Sequence, residues 1–379
     1  MNRFFFVARV CAAAAAAACA SAGAVPVVKY YAHDLHDTSD GTFTTPAAMS
    51  RSGNIAGYTQ PTPASPSTGF AVTPRTRFER LASVPGMTSQ SGAGVNDRGQ
   101  VVGRVASTVG VVQTSQAFVT GPNGIGITPL GLLDGNPTAA SDINNAGQIV
   151  GSADSVTDNP SPHGGVHPLT CGPIIHVSHC FLTDAGGANM RDIGALVPGA
   201  SCYANGINAR GRVTGNSTQQ PGDDCYVPTR AFLTGPGGVG FVDIDTLGGF
   251  SSYGYAVNAS GMVAGDWEPV EFGNDSAFVT GPDGQGMRDL GNLGGSGTSA
   301  FALNADGNVV GTSSTRPGGG DSHAFVTGDN GVGLQDLNLI TEGLPTVLVT
   351  ASGIDDSGRI AARGENGHAY LLCPTRNCR

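Results

Sequence analysis

The stretch Leu303-Asn304-Ala305-Asp306-Gly307-Asn308-Val309-Val310-Gly311 decides the fold. Asn at the first position of a four-residue turn can bond its own backbone, and Gly accepts the left-handed conformation that closes the turn. The small and apolar residues before it, Ser299-Ala300-Phe301-Ala302-Leu303, and the β-branched pair after it read as two antiparallel strands. The same phrase returns as Val95-Asn96-Asp97-Arg98-Gly99, Ile143-Asn144-Asn145-Ala146-Gly147, Ile207-Asn208-Ala209-Arg210-Gly211 and Val257-Asn258-Ala259-Ser260-Gly261. Met49-Ser50-Arg51-Ser52-Gly53 and Ile354-Asp355-Asp356-Ser357-Gly358 are degenerate copies, with Ser and Asp as the permitted substitutes for Asn.

The turn glycines are 46, 48, 64, 50, 46 and 51 residues apart, close to the roughly 40–50 residues of a four-stranded propeller blade. Each unit supplies a third strand centred on an aromatic, as in Gln116-Ala117-Phe118, Arg230-Ala231-Phe232, Ser276-Ala277-Phe278 and His323-Ala324-Phe325. A Gly-Pro-rich turn such as Gly281-Pro282-Asp283-Gly284 leads to a fourth, as in Met287-Arg288-Asp289-Leu290. Small residues suit the crowded centre of a radial array, so the alanine-rich strand is expected innermost and the fourth outermost.

The last unit stops after its third strand, His368-Ala369-Tyr370-Leu371-Leu372. Near the start, Lys29-Tyr30-Tyr31-Ala32-His33-Asp34-Leu35 resembles a fourth strand that precedes any first one. The expected fold is therefore all-β: a seven-bladed β-propeller of four-stranded antiparallel blades, closed by an N-terminal strand that completes the last blade. Such closure removes open sheet edges.

Residues 1–24 read as a signal peptide, leaving 25–379 as one propeller domain. Arg3 and Arg9 precede the alanine run Ala12 to Ala18, and Ala20-Ser21-Ala22 or Ala22-Gly23-Ala24 offers a cleavage site. No segment reaches the ~20 apolar residues of a membrane-spanning helix. The chain is thus expected to be secreted or periplasmic, and monomeric.

Without the two leader arginines, 17 basic residues face 29 acidic ones, a balance of −12, and Lys29 is the only lysine. Nucleic-acid binding needs clustered cations, which this composition excludes. Six cysteines lie beyond the leader, an even number suited to disulfides in an oxidising compartment. Their spacing favours the local pairs Cys171–Cys180, Cys202–Cys225 and Cys373–Cys378.

The phrases Asp289-Leu290-Gly291-Asn292-Leu293-Gly294-Gly295, Leu303 to Gly311 and His323-Ala324-Phe325-Val326 together resemble the HAF-repeat family, whose members are taken to be extracellular bacterial proteins. The resemblance spans nearly all of the chain after the leader and implies location and architecture rather than a reaction. Gln116, Arg230 and Ser276 stand where the family has its histidine, so that histidine is not expected to be catalytic.

Candidate sites fall on the loops between second and third strands and between blades, which share one face. Trp267, the sole tryptophan, lies beside Asp266 and Glu268, with Glu271 and Phe272 following and Phe250, Tyr253 and Tyr255 in the same blade. An aromatic plane beside carboxylates can hold a sugar ring, against the plainer reading of a tryptophan packed on its own blade. The longest insertion, roughly Ser152 to Val177 with the adjoining His179, carries His163, His167, His176 and His179 at spacings that resemble metal-ligand pairs, suited with cysteine to zinc or copper. The non-helical run Pro160 to Gly165 removes the geometry such pairs rely on, and a loop disulfide explains the cysteines better. Calcium at Asp37, Asp40, Asp154, Asp158, Asp223 or Asp224 lacks a twelve-residue loop with alternating oxygen ligands. No cofactor is expected.

The sequence holds no Gly-x-Ser-x-Gly elbow and no His-Glu-x-x-His. The function expected is a non-catalytic binding module for an extracellular glycan or protein. The alternatives are a polysaccharide hydrolase with carboxylates at the channel mouth, and a structural surface protein without a specific ligand.

Overall fold

A computed structural model describes residues 28–35, 42–73, 77–109, 112–158, 174–221, 228–270 and 274–376; the leader lies outside them. Seven sheets are arranged in sequence order, six with four strands each and the seventh with five. Blade 6 is typical: Thr298–Leu303, Val309–Ser314, Ser322–Val326 and Gln335–Asp336 pair in order and antiparallel.

Blade 7 closes the ring. Its strands Leu348–Ile354, Ile360–Gly364 and Ala369–Cys373 are joined by the N-terminal strand Tyr30–Asp34. Tyr31 lies opposite Cys373 and Asp34 opposite Tyr370. One strand was not expected: Thr341–Glu342 pairs in parallel outside Tyr30–Asp34. Glu342 accepts from Lys29 Nζ at 3.0 Å and from Arg376 Nη2 at 3.2 Å, so the segments before the closing strand Tyr30–Asp34 and after Ala369–Cys373 share one carboxylate.

The aromatic of each third strand carries the core. Phe70, Phe118, Phe181, Phe232, Phe278, Phe325 and Tyr370 are all buried. Phe278 of blade 5 packs against Ala231, Leu233 and Ile244 of blade 4, and Phe325 of blade 6 against Ala277, Val279 and Leu290 of blade 5. Each such ring contributes about 2–3 kcal/mol on burial. The core therefore lies between blades rather than within one.

The repeated turn holds the blades together at their inner ends. Asn208 Oδ1 accepts from the amides of Arg210 and Arg212, closing its own turn, while its Nδ2 donates to Asn258 O of the next blade at 3.0 Å. Asn96, Asn144, Asn258 and Asn304 make the same forward bond, to Asn144 O, Asn208 O, Asn304 O and Asp355 O. At the two degenerate copies the residue four positions on takes over. Asn54 Nδ2 donates to Asn96 O at 3.0 Å, where the shorter Ser50 keeps its hydroxyl on Ser52 Oγ and the Asn54 amide. Arg359 binds Asp355 Oδ2 at 2.6 Å and donates to Ser52 O at 2.8 Å. All seven junctions are bridged, including the one between last blade and first.

Candidate binding channel and hairpin face

Every first strand carries a β-bulge at the same place, three residues before its turn residue. A bulge leaves one residue unpaired and re-aims its side chain. In six blades the bulge is accommodated by the repeated glycine of the second strand. At Gly311, for example, a Cβ would collide with Ser299 O, so no larger residue fits the approach.

The seven bulged residues all line a central cavity of about 260 Å³ that opens at the Asn-turn face. Their chemistry differs around the ring. Blades 1 and 2 present Ala47 and Ala93; blades 3, 4 and 7 present Ser141, Asn205 and Ser352; blades 5 and 6 present Tyr255 and Phe301. The two rings are neighbours, 6.4 Å apart and tilted by 42°. Ser352 Oγ is buried with no hydrogen-bond partner. Asn205 Nδ2 is held by Asn216 Oδ1 at 3.0 Å and Gly254 O at 2.9 Å.

The residue after each bulge is Ala or Gly in six blades and Asp142 in blade 3. Asp142 Oδ1 accepts from the Ile143 amide at 2.8 Å and Oδ2 from the Ile207 amide at 2.9 Å. Burial pushes its carboxyl up to about 6 against the pull of those two amides.

On the opposite face lies the cluster expected around Trp267. The strand Val263–Glu268 sends alternate residues to opposite sides. Trp267 is half-buried and packs with Ala231, Leu233, Ile244 and Phe278, and its Nε1 is buried without a partner. Asp266 is only 4% exposed and accepts from the Ala300 amide of blade 6 at 3.0 Å. Burial raises its carboxyl to about 7. Tyr253 sits opposite Asp266, and the Phe250 amide donates to Glu268 O at 2.8 Å. Burial first, then the nearby Asp266 and Asp275, lift the Tyr255 phenol well above its ordinary value. The structure thus gathers Asp266, Glu268, Tyr253 and Phe250, and adds Tyr255 and Asp275. Glu271 and Phe272 lie outside the described residues.

That face is uneven. The second strands of blades 2, 3 and 4 run Val101–Val109, Ile149–Asp158 and Val213–Pro221, against Val263–Glu268 and Val309–Ser314 in blades 5 and 6. In blades 2 and 3 the third strand runs with it: Val109 pairs with Val112, and Asp158 with Ile174. Part of the expected insertion loop from Ser152 to Val177 is therefore two strands of a long hairpin. Two consecutive blades, 2 and 3, thus raise hairpin arms, and blade 4 lengthens its second strand, beside the shorter strands of blade 5.

The disulfides at the base of these arms correct the local pairing. Cys180 on the third strand of blade 3 is bonded to Cys202 on the first strand of blade 4, with a Cα–Cα distance of 5.1 Å. Neither Cys171–Cys180 nor Cys202–Cys225 forms. The reason is that a third strand abuts the next blade's first strand, as the bond from Ser178 N to Ser201 Oγ at 3.2 Å also shows. Cys373 is disulfide-bonded as well, and Cys378, its expected partner, lies outside the described residues with Cys171 and Cys225.

The histidines at the His-Ala-Phe position tie third strands to fourth strands. His323 Nδ1 meets Asp336 Oδ2 at 2.6 Å, His179 meets Asp192 at 2.9 Å, and His368 meets Asp34 at 2.9 Å across the ring closure. His179 and His176 occupy positions of opposite parity on one strand, opposite Ala153 and Val156. His163 and His167 lie outside the described residues, as do Asp37, Asp40, Asp223 and Asp224. Asp154 accepts from Ser178 Oγ at 2.6 Å. Among the described residues no group of three or more His, Cys, Asp or Glu side chains could hold a metal ion. Among them, too, no helix is long and apolar enough to cross a membrane.

The fold and its faces define a β-propeller with an open central channel. No protein-family model matches the chain, and no curated protein sequence does. Among solved structures it is similar to YCF48 bound to a D1 peptide, with 14% identity over 93% of this chain and 99% of that one and a TM-score of 0.51. It is also similar to the Pyrococcus horikoshii acylaminoacyl peptidase, with 10% identity, a TM-score of 0.54 and 87% coverage of this chain. The match spans half of that peptidase chain. Likeness at this identity speaks for the fold alone.

Proposed function

We propose that this is an exported, non-catalytic interaction module of the HAF-repeat type, which engages an extracellular glycan or protein on its hairpin face. The observation that carries this reading is the unevenness of that face. Hairpin arms rise from blades 2 and 3, and the base of the blade 3 arm is cross-linked by Cys180–Cys202 to blade 4, whose second strand is also long and which adjoins the ledge formed by Phe250, Tyr253 and Glu268. Variable loops on a rigid frame are the usual carriers of binding. A disc needs none of these arms to close, because blades 5 and 6 close without them. The hydrolase alternative is disfavoured by Asp266, the one acid of the cluster raised to about 7, which is walled in against Ala300 and out of reach of a polysaccharide.

The test presents the protein to a glycan array and to a random-peptide phage library. A ligand is expected with the wild type. It should be lost when the blade 2 arm is cut back to the pair Ser107–Thr114 or when Glu268→Gln and Tyr253→Phe are combined. No ligand from either library, or ligands indifferent to both variants, overturns the reading.

A further inference from the structure

The channel at the opposite mouth carries a second message. Seven copies of one framework allow a comparison inside a single molecule. The turn residue, the bulge, the third-strand aromatic and, in six blades, the second-strand glycine recur, whereas the bulged residue varies from Ala47 to Tyr255. Closure of the ring does not require this variety, since blades 1 and 2 manage with alanine.

Three features converge in the cavity. Two aromatic rings, Tyr255 and Phe301, form one wall. Asp142 stands where the other six blades have Ala or Gly, and only backbone amides answer its charge. Ser352 Oγ is an unused hydroxyl. The charged residues lining the cavity and its rim are Arg51, Asp97, Asp142 and Asp356, three acids against one base. A carboxylate taken out of water without a counter-ion is costly. Aromatic faces attract cations, and an acidic rim concentrates them. At about 260 Å³ the space falls below the roughly 300–1,000 Å³ of pockets for drug-sized ligands, so the occupant is small.

We propose that the channel is a binding site for a small organic ammonium ion, with Tyr255 and Phe301 against its alkyl groups, Asp142 as counter-charge and Ser352 as a hydrogen-bonding partner. This site opens at the other mouth of the channel; Tyr255, whose phenol lies near Asp266 and Asp275, is the residue it shares with the cluster on the hairpin face, and neither reading depends on the other.

Isothermal titration of the full mature protein with choline, its uncharged carbon isostere 3,3-dimethylbutan-1-ol and glucose tests the proposal. Choline is expected to bind roughly tenfold or more tightly than the isostere, and glucose not at all. Asp142→Asn keeps an oxygen for one amide and should erase the preference for charge. Phe301→Leu should weaken choline, and cutting back the blade 2 arm should leave it unchanged. Equal affinity for choline and isostere, binding of glucose instead, no binding of any probe, or an unchanged preference in Asp142→Asn overturns the proposal. The comparison of charged and uncharged probes on the wild type stands even if a variant fails to fold.

Discussion

Replacing Asn208 by alanine breaks the inter-blade belt between blades 4 and 5. The side chain is 3% exposed and makes three hydrogen bonds: to Asn258 O at 3.0 Å, and from the Arg210 and Arg212 amides at 3.0 and 3.1 Å. At about 1 kcal/mol net for each, Asn208→Ala should cost about 3 kcal/mol. Asn208→Asp is the sharper variant. It keeps both acceptor bonds and loses only the forward donor, and Arg212 stands four residues on, as Arg359 does from Asp355. In blade 7 that arrangement restores the bridge by reaching Ser52 O. Arg212 would have to leave Thr234 O and Asp283, which it now binds. The net cost of Asn208→Asp should thus be about 1 kcal/mol. Asn144→Asp has Gln148 at the same offset and no cation to answer a buried charge, so about 3 kcal/mol is expected there. Urea unfolding, followed by Trp267 fluorescence and by circular dichroism, gives all three values. The reasoning fails if Asn208→Ala costs under about 1 kcal/mol, or if the two Asp variants cost the same.

Other perturbations follow from the same geometry. The carboxyls of Asp142 and Asp266 are raised in the folded state to about 6 and about 7, so folding takes up protons in that range. The stability they confer is full below pH ~4 and is lost as pH rises through ~7. Asp266→Asn, which keeps an acceptor for the Ala300 amide, should flatten this slope and gain on the order of 4 kcal/mol above pH ~8, read as the difference between the two pH–stability curves. Cys180→Ser opens a cross-link spanning 22 residues and should cost about 3 kcal/mol in urea; peptide mapping without reductant should recover Cys180 joined to Cys202, and a Cys171–Cys180 peptide would refute the pairing. Removing Tyr30–Asp34 strips the closing strand from Ala369–Cys373, and concentration-dependent association in light scattering is expected. A monomer of unchanged stability would contradict that role.

The ring was legible because its information is local and repeated. Asn-x-x-Gly closes a turn where a strand of small residues precedes it and a β-branched strand residue follows, an aromatic strand comes next in each unit, and counting these units is counting the blades. Even the closure showed, because a fourth strand missing at Leu372 and a spare one at Tyr30 are both features of short segments. The parallel fifth strand Thr341–Glu342 gave no such sign, since two residues are too short to have a pattern. The tertiary structure alone decided what meets across a blade junction. It paired Cys180 with Cys202, turned Trp267 into the core of blades 4 and 5, and set Asn54 and Arg359 in place of missing asparagines. It also brought Ser141, Tyr255, Phe301 and Ser352 around one cavity from positions up to 211 residues apart. In the chain each is a residue three before a turn, with nothing local to say that it faces the others. The strand repeat shows which residues share a blade, but the side chains that share a space come from different blades, and only closing the disc makes them neighbours.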